Sequence, residues 1–150
     1  MTFFYQKMFF IIFYFLTQHY KITSRKGESI MIQGEMCDVQ VDDIQDVLLD
    51  IGIPSSLLGF MYITYAEQLV LSDPSYMRKI TKGLYKDIAE QFNSTPTRVE
   101  RCIRHAIEVG CTQGNTESIY RLFKHSVNPL KGTPTNGQFI ARVYYHLANR

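Results

Sequence analysis

Glu100, Arg101 and Arg104 fall within five residues of one another in the run PTRVERCIRHAIEV. At about 100° per residue, Arg98, Glu100, Arg101, Arg104, His105 and Glu108 share one arc of a helix. Val99, Cys102, Ile103, Ala106, Ile107 and Gly110 share the other. An apolar arc packs on a core, so the polar arc faces outward. Arg101 and Arg104, one turn apart, can each donate to the O6 and N7 acceptors of a guanine in a DNA major groove, and Glu100 can accept from a cytosine N4 amine. A second reading stays open on periodicity alone, because any solvated helix carries charges opposite its core.

The remaining reactive residues do not converge. His19, His105, His125 and His146 are scattered, no HExxH or glycine-rich phosphate loop occurs, and Cys37, Cys102 and Cys111 form no CxxC pair. The expectation is therefore no catalytic residue, no metal site, no cofactor and no small-molecule substrate. Three cysteines without metal-ligand spacing fit reduced thiols and a cytoplasmic location.

The elements that must position the arginines lie just before them. Tyr85 to Phe92 reads as a short helix, Asn93-Ser94-Thr95 as a turn, and Pro96 as the start of a longer helix to about Val109. A short helix, a three-residue turn and a longer helix make a helix-turn-helix. Ala89 stands where the two helices approach, and a larger side chain would push them apart. Asn93 stands where the chain needs a left-handed residue, which asparagine tolerates better than most. Val99 stands where the second helix folds back on the first. Arg78, Lys79, Lys82 and Lys86 precede this unit, against only Asp87 and Glu90. Residues of this kind grip phosphates and set register without reading sequence. Lys79 and Lys82 are expected in that role, with Lys131, Lys124 and His125 as further candidates from the C-terminal side.

The rest of the chain reads as helices. Val41, Ile44, Leu48 and Ile51 recur at helical spacing up to Gly52 and Pro54, and a second helix is expected from Ser55 or Ser56 to about Leu71. Asp73-Pro74 signals a third, running to about Lys82. After Gly114-Asn115 come Thr116 to Phe123 and then a last helix, capped by Asn136, with Phe139, Ile140, Val143, Tyr144 and Leu147 on one face. The expected class is all-α, a compact domain of about six or seven helices over residues 37–150. The net charge of +2 neither supports nor excludes nucleic acid, since DNA binders need a local basic face and not a basic total.

Residues 1–36 differ in character. Met8 to Leu16 is an unbroken apolar run of nine residues, short of the roughly 20 that a spanning helix needs. Three readings stand: a segment not natively translated, a peptide that packs on the domain or associates weakly with a membrane, and a signal or anchor. The first is favoured by Lys26-Gly27-Glu28, whose codons can spell a purine-rich ribosome-binding site two codons before Met31.

The segments IGIPSSLLGF, ITKGLYKDIAEQFNSTPTRVERCIRHAIEV, QGNTESIYRLF and PTNGQFIA resemble the C-terminal effector domain of the sporulation master regulators of endospore-forming bacteria. The resemblance covers nearly all of residues 38–150, and its RVERxIRHAIE block is highly specific. It implies a six-helix effector domain that binds a short double-stranded DNA box, often as self-associating tandem copies, and touches RNA polymerase sigma factor. Carried over by position, it implies base contacts at Glu100, Arg101 and Arg104, and backbone-side contacts at Arg98 and His105. It also implies sigma-factor contacts at Asn115, Glu117, Ser118 and Arg121. This sequence departs from the pattern at Gly83, Lys86, Glu67, Gly110-Cys111 and Thr133, and no phosphorylatable receiver fits ahead of residue 38. Those departures leave an alternative: an interaction module that modulates a full-length regulator without productive DNA binding.

Overall fold

The structure is a computed structural model, and it describes residues 39–123 and 132–149. The readings made for residues 1–36, Lys124, His125 and Lys131 lie outside these residues.

Helix α1 spans Val41–Ile51. The Asp43 carboxylate accepts from the Gln40 backbone N–H at 2.9 Å, and acids at Asp42 and Asp43 suit the positive end of the helix dipole. Gly52 ends the helix in the left-handed region at φ 96°, where a side chain would be strained. Helix α2 spans Leu58–Ser72, so it starts later than the Ser55 or Ser56 expected. Neither serine caps it. The Leu57 N–H bonds the Pro54 carbonyl and the Phe60 N–H bonds the Leu57 carbonyl, so a turn uses up these residues. Helix α2 is buried on most of its circumference, and Glu67 lies at 0% exposure among its apolar neighbours.

The expected third helix is replaced by two short pieces. Asp73 does cap, accepting from Ser75 N at 2.9 Å and Ser75 Oγ at 2.8 Å, and Pro74 opens a 3-10 helix to Arg78. Lys79, at φ −129°, breaks it, and a π-helical turn Ile80–Leu84 follows. There the Lys79 carbonyl accepts from both Gly83 N at 2.7 Å and Leu84 N at 3.1 Å. The wider turn delivers Leu84 and Tyr85 to the core at 0% and 5% exposure, and the Tyr76 hydroxyl donates to Asp87 across it. Tyr76, Met77 and Ile80 of this segment pack against the core although the helix is interrupted.

Helix α3 (Tyr85–Gln91) runs on from this turn, and α4 (Pro96–Gln113) follows after Phe92–Thr95. Helix α5 spans Thr116–Phe123 and α6 spans Asn136–Ala148. Six α-helices and no strand are found among the described residues, giving an all-α fold. None of these helices is long and apolar enough to cross a membrane. Their shared core centres on Leu48, Ile63, Ile88, Ile103, Ile107, Phe139 and Ile140, all at 0 or 1% exposure.

Helix α4 extends four residues beyond the expected Val109. Gly110 does not end it: the helix continues to Gln113, and the chain turns away at Gly114. The most extensive helix pairing is α2 on α4, and Gly59 allows it. A Cβ at Gly59 would sit 2.1 Å from the Cys102 carbonyl oxygen and 2.6 Å from Ala106 Cβ. The last helix is capped by Thr135 rather than Asn136. Thr135 Oγ1 accepts from Gln138 N at 3.3 Å, and Gln138 Oε1 accepts from Thr135 N at 3.0 Å, a reciprocal capping box. Asn136 is already the first helical residue, and its side chain turns inward.

Candidate nucleic-acid interface

Helix α4 rests on α3 through the residues that the sequence offsets single out. Ala89 is 3% exposed and Val99 fully buried. Asn93 has φ 48°, the left-handed residue at the bend. The turn is closed by Phe92 N to Ile88 O at 3.0 Å and Ser94 N to Ala89 O at 2.8 Å. Tyr62 and Tyr65 each meet Phe92 in a T-shaped arrangement with centroids 5.2 and 5.6 Å away, tying the turn to α2. Thr95 caps α4, its Oγ1 accepting from Arg98 N at 3.3 Å, and Pro96 occupies the first helical position.

The two arcs of α4 separate as the spacing predicts. Val99, Ile103, Ala106, Ile107 and Gly110 are buried, and Cys102 is half-buried. Arg98, Arg101, Arg104, His105 and Glu108 are exposed, with Glu100 half-buried at the margin. Arg98, Arg101 and His105 therefore lie along one solvent-facing stripe, with Glu100 and Arg104 beside it. Arg104 is engaged within the helix: its Nη2 lies 2.9 Å from Glu100 Oε1, with side chains 53% and 40% exposed. An exposed i,i+4 pair of this kind is worth about 0.3–0.5 kcal/mol, so base edges or phosphates can displace it at small cost.

Lys79 and Lys82 are exposed on the segment that leads into α3, and Lys86 reaches Glu90 at 3.6 Å. The hydrogen bond from Tyr76 to Asp87 fastens that segment to α3. It also raises the Tyr76 phenol above its ordinary range, because a phenol donating to a carboxylate keeps its proton.

On α5, Asn115 Oδ1 accepts from Glu117 N at 3.0 Å, so this side chain is turned back onto its own helix. Glu117 and Arg121 are exposed and 3.5 Å apart. Ser118, expected on the same outer surface, is buried at 4% exposure. It packs with Val47, Ile51 and Leu122 under a shallow groove whose rim carries Asp46, Asp50, Arg121 and His146. That inward placement removes Ser118 from the surface set. It follows from the helical repeat, which puts Ser118 and Leu122 on the buried side of α5.

Asn136 is the contributor that sequence spacing misses. Its Nδ2 donates to the Tyr85 hydroxyl at 3.1 Å and to the Glu100 carbonyl at 3.1 Å, joining the starts of α3 and α6 to the first half of α4. These partners are 51 and 36 residues away along the chain. Burial holds the Tyr85 phenol above its ordinary range, partly offset by the bond that Asn136 donates. No cluster of metal-ligating side chains occurs among the described residues.

One family model matches, that of Sporulation initiation factor Spo0A C terminal, over residues 44–147. The match runs from the second turn of α1 to the last turn of α6, and so takes in every element that positions α4. The chain accordingly belongs to the Sporulation initiation factor Spo0A C terminal family, a family of DNA-binding regulatory domains.

Proposed function

We propose that this domain is a transcription regulator that reads double-stranded DNA with α4 in the major groove. Arg101 and Arg104 address guanine edges and Glu100 a cytosine amine. Arg98, His105, Lys79 and Lys82 hold the phosphate backbone, together with Lys131. The observation that carries this reading is the clean division of α4, whose apolar arc is wholly engaged while its arginines stand in solvent. Asn115, Glu117 and Arg121 mark the side of α5 proposed to meet RNA polymerase sigma factor, and tandem copies of the domain are proposed to occupy adjacent boxes.

A gel-shift series against cognate and scrambled duplexes, with the cognate box found by selection from random DNA, tests the groove assignment. Arg101→Ala and Arg104→Ala are each expected to weaken cognate binding by about 1–3 kcal/mol. Lys79→Ala should weaken all duplexes alike and reduce the salt slope by about 1. If both arginine variants bind cognate DNA as the parent does, α4 does not read it.

The pairing of Glu100 with Arg104 favours one second reading, a protein-interaction module that modulates a full-length regulator, because two of the three base-facing groups already satisfy each other. A parent domain that is folded but shows no preference among duplexes at any salt concentration supports that reading instead.

A further inference from the structure

We propose that Asn136 is a positioning residue for base recognition, its buried amide setting the depth and rotation of the turn of α4 that carries Glu100 and Arg104. The inference rests on the DNA-reading role of α4 and goes beyond it. It assigns part of the specificity to a side chain that is only 4% exposed and points away from solvent.

The geometry carries the argument. Asn136 is the first residue of α6, and the capping of that helix is already done by Thr135 and Gln138. Its amide is thus not needed for its own helix. Both hydrogens of Nδ2 are committed, one to the Tyr85 hydroxyl and one to the Glu100 carbonyl, each at 3.1 Å. The Glu100 carbonyl lies within α4, where one lone pair serves the helix; a carbonyl has a second, and Asn136 takes it. The side chain on that same residue holds Arg104 at 2.9 Å, so the amide acts on the backbone of one base-facing residue and through it on another.

The amide also has one permitted orientation. Its Oδ1 is enclosed and has no hydrogen-bond partner among the described residues. Turning the amide over would set that oxygen against the Glu100 carbonyl, oxygen facing oxygen. A group that accepts the loss of one acceptor in order to direct two donors fixes the distance between three chain segments. Recognition side chains need supports that hold them within about 0.5 Å of the productive geometry, and the packing of α4 against apolar side chains alone is less directional.

The experiment compares the parent with Asn136→Ala and Tyr85→Phe, using the selected cognate duplex and a scrambled duplex over a range of salt concentrations, alongside thermal melts. For Asn136→Ala the cognate-to-scrambled affinity ratio is expected to fall about tenfold, inside the range that a bidentate base contact supplies, while the salt slope and scrambled binding stay at parent values. Tyr85→Phe keeps the bond to Glu100 and should lose less of the ratio. In a Glu100→Ala, Arg104→Ala background, Asn136→Ala should have no further effect on the ratio. Should Asn136→Ala not fold, Asn136→Leu, close in size, uncharged and without a donor, carries the same expectation, because it cannot bond the carbonyl.

A merely structural role would lower cognate and scrambled binding together in step with the melting temperature, leaving the ratio unchanged, and that result overturns the proposal. So does an undiminished effect of Asn136→Ala in the double-variant background. A parent chain with no preference between the duplexes overturns the reading of α4 as well, whereas a discriminating parent with an unaffected variant overturns only the role of Asn136.

Discussion

The two ends of α4 are held by different physics. At its start, directional polar bonds do the holding: Thr95 caps the helix, and the Asn136 amide bonds the Glu100 carbonyl. At its end the chain relies on backbone proximity made possible by missing side chains. A Cβ on Gly114 would lie 2.0 Å from the Ile51 carbonyl oxygen, and one on Gly110 would lie 2.7 Å from Ile53 Cγ1. The Asn115 N–H then bonds Ile51 O at 3.0 Å, closing α4 against the end of α1. Hydrogen bonds define where a helix points; close packing defines how firmly it is attached. The residues proposed to face DNA, Arg98 to His105, lie on the half of α4 nearer the directional bonds.

The comparison can be broken at three places. The largest effect is expected for Gly114→Ala, whose added methyl meets backbone on two sides and has no flexible neighbour to displace. Overpacking at a site this tight should destabilise the domain by about 3 kcal/mol, read as a lower midpoint in chemical denaturation. Sequence discrimination by the molecules that remain folded should be retained. A loss of discrimination at unchanged stability would show that the two ends are not divided in this way.

The second variant lies between the ends, on α2. Glu67 is fully buried and neither carboxyl oxygen has a hydrogen-bond partner among the described residues, and burial pushes its pKa well above 4.5. The folded state therefore holds a proton that the unfolded chain releases. The stability linked to Glu67 is fully present below about pH 4.5 and is lost as pH rises from there toward the raised folded value. Glu67→Met removes the unpartnered group and should stabilise the domain by about 2 kcal/mol at neutral pH. The difference from the parent should shrink as pH falls toward 4.5. Denaturation midpoints measured from pH 4 to pH 8 check this, and a difference that does not vary with pH would contradict it. The smallest effect is expected for Thr95→Ala, about 1 kcal/mol from the lost cap, read in the same denaturation assay.

Much of α3 and α4 was legible because the constraints there are local and steric. Ala89, Asn93 and Val99 are each dictated by neighbours within a few residues, as are Gly52, which ends α1 by its left-handed backbone, and Asp73, which caps through its own side chain. Signals of another kind were invisible. Tyr76 finds Asp87 only after the chain has turned, so the 3-10 and π-helical pieces look like one helix until folded. Gly110 stands out in the sequence only as a departure from the family pattern, whereas in the fold it admits Ile53 from a distant segment. Asn136 looks like a cap because asparagine caps often, yet Thr135 takes that place and frees the amide for partners on two other helices. Ser118 shows the limit of transfer by position: a residue inside a surface-contact segment still obeys the repeat of its own helix.

The π-helical turn at Ile80–Leu84 has a consequence for how length changes are tolerated. Such a turn holds one residue more than an α-turn, and each residue contributes about 100° of rotation. Removing one residue from it would let the backbone relax into ordinary α-helix without breaking the chain. All that precedes it, Arg78 and Lys79 included, would then swing through more than a quarter circle relative to α3. The extra residue works as a phase adjuster, and a homologue that lacked it would present the positions of Arg78 and Lys79 on a different side.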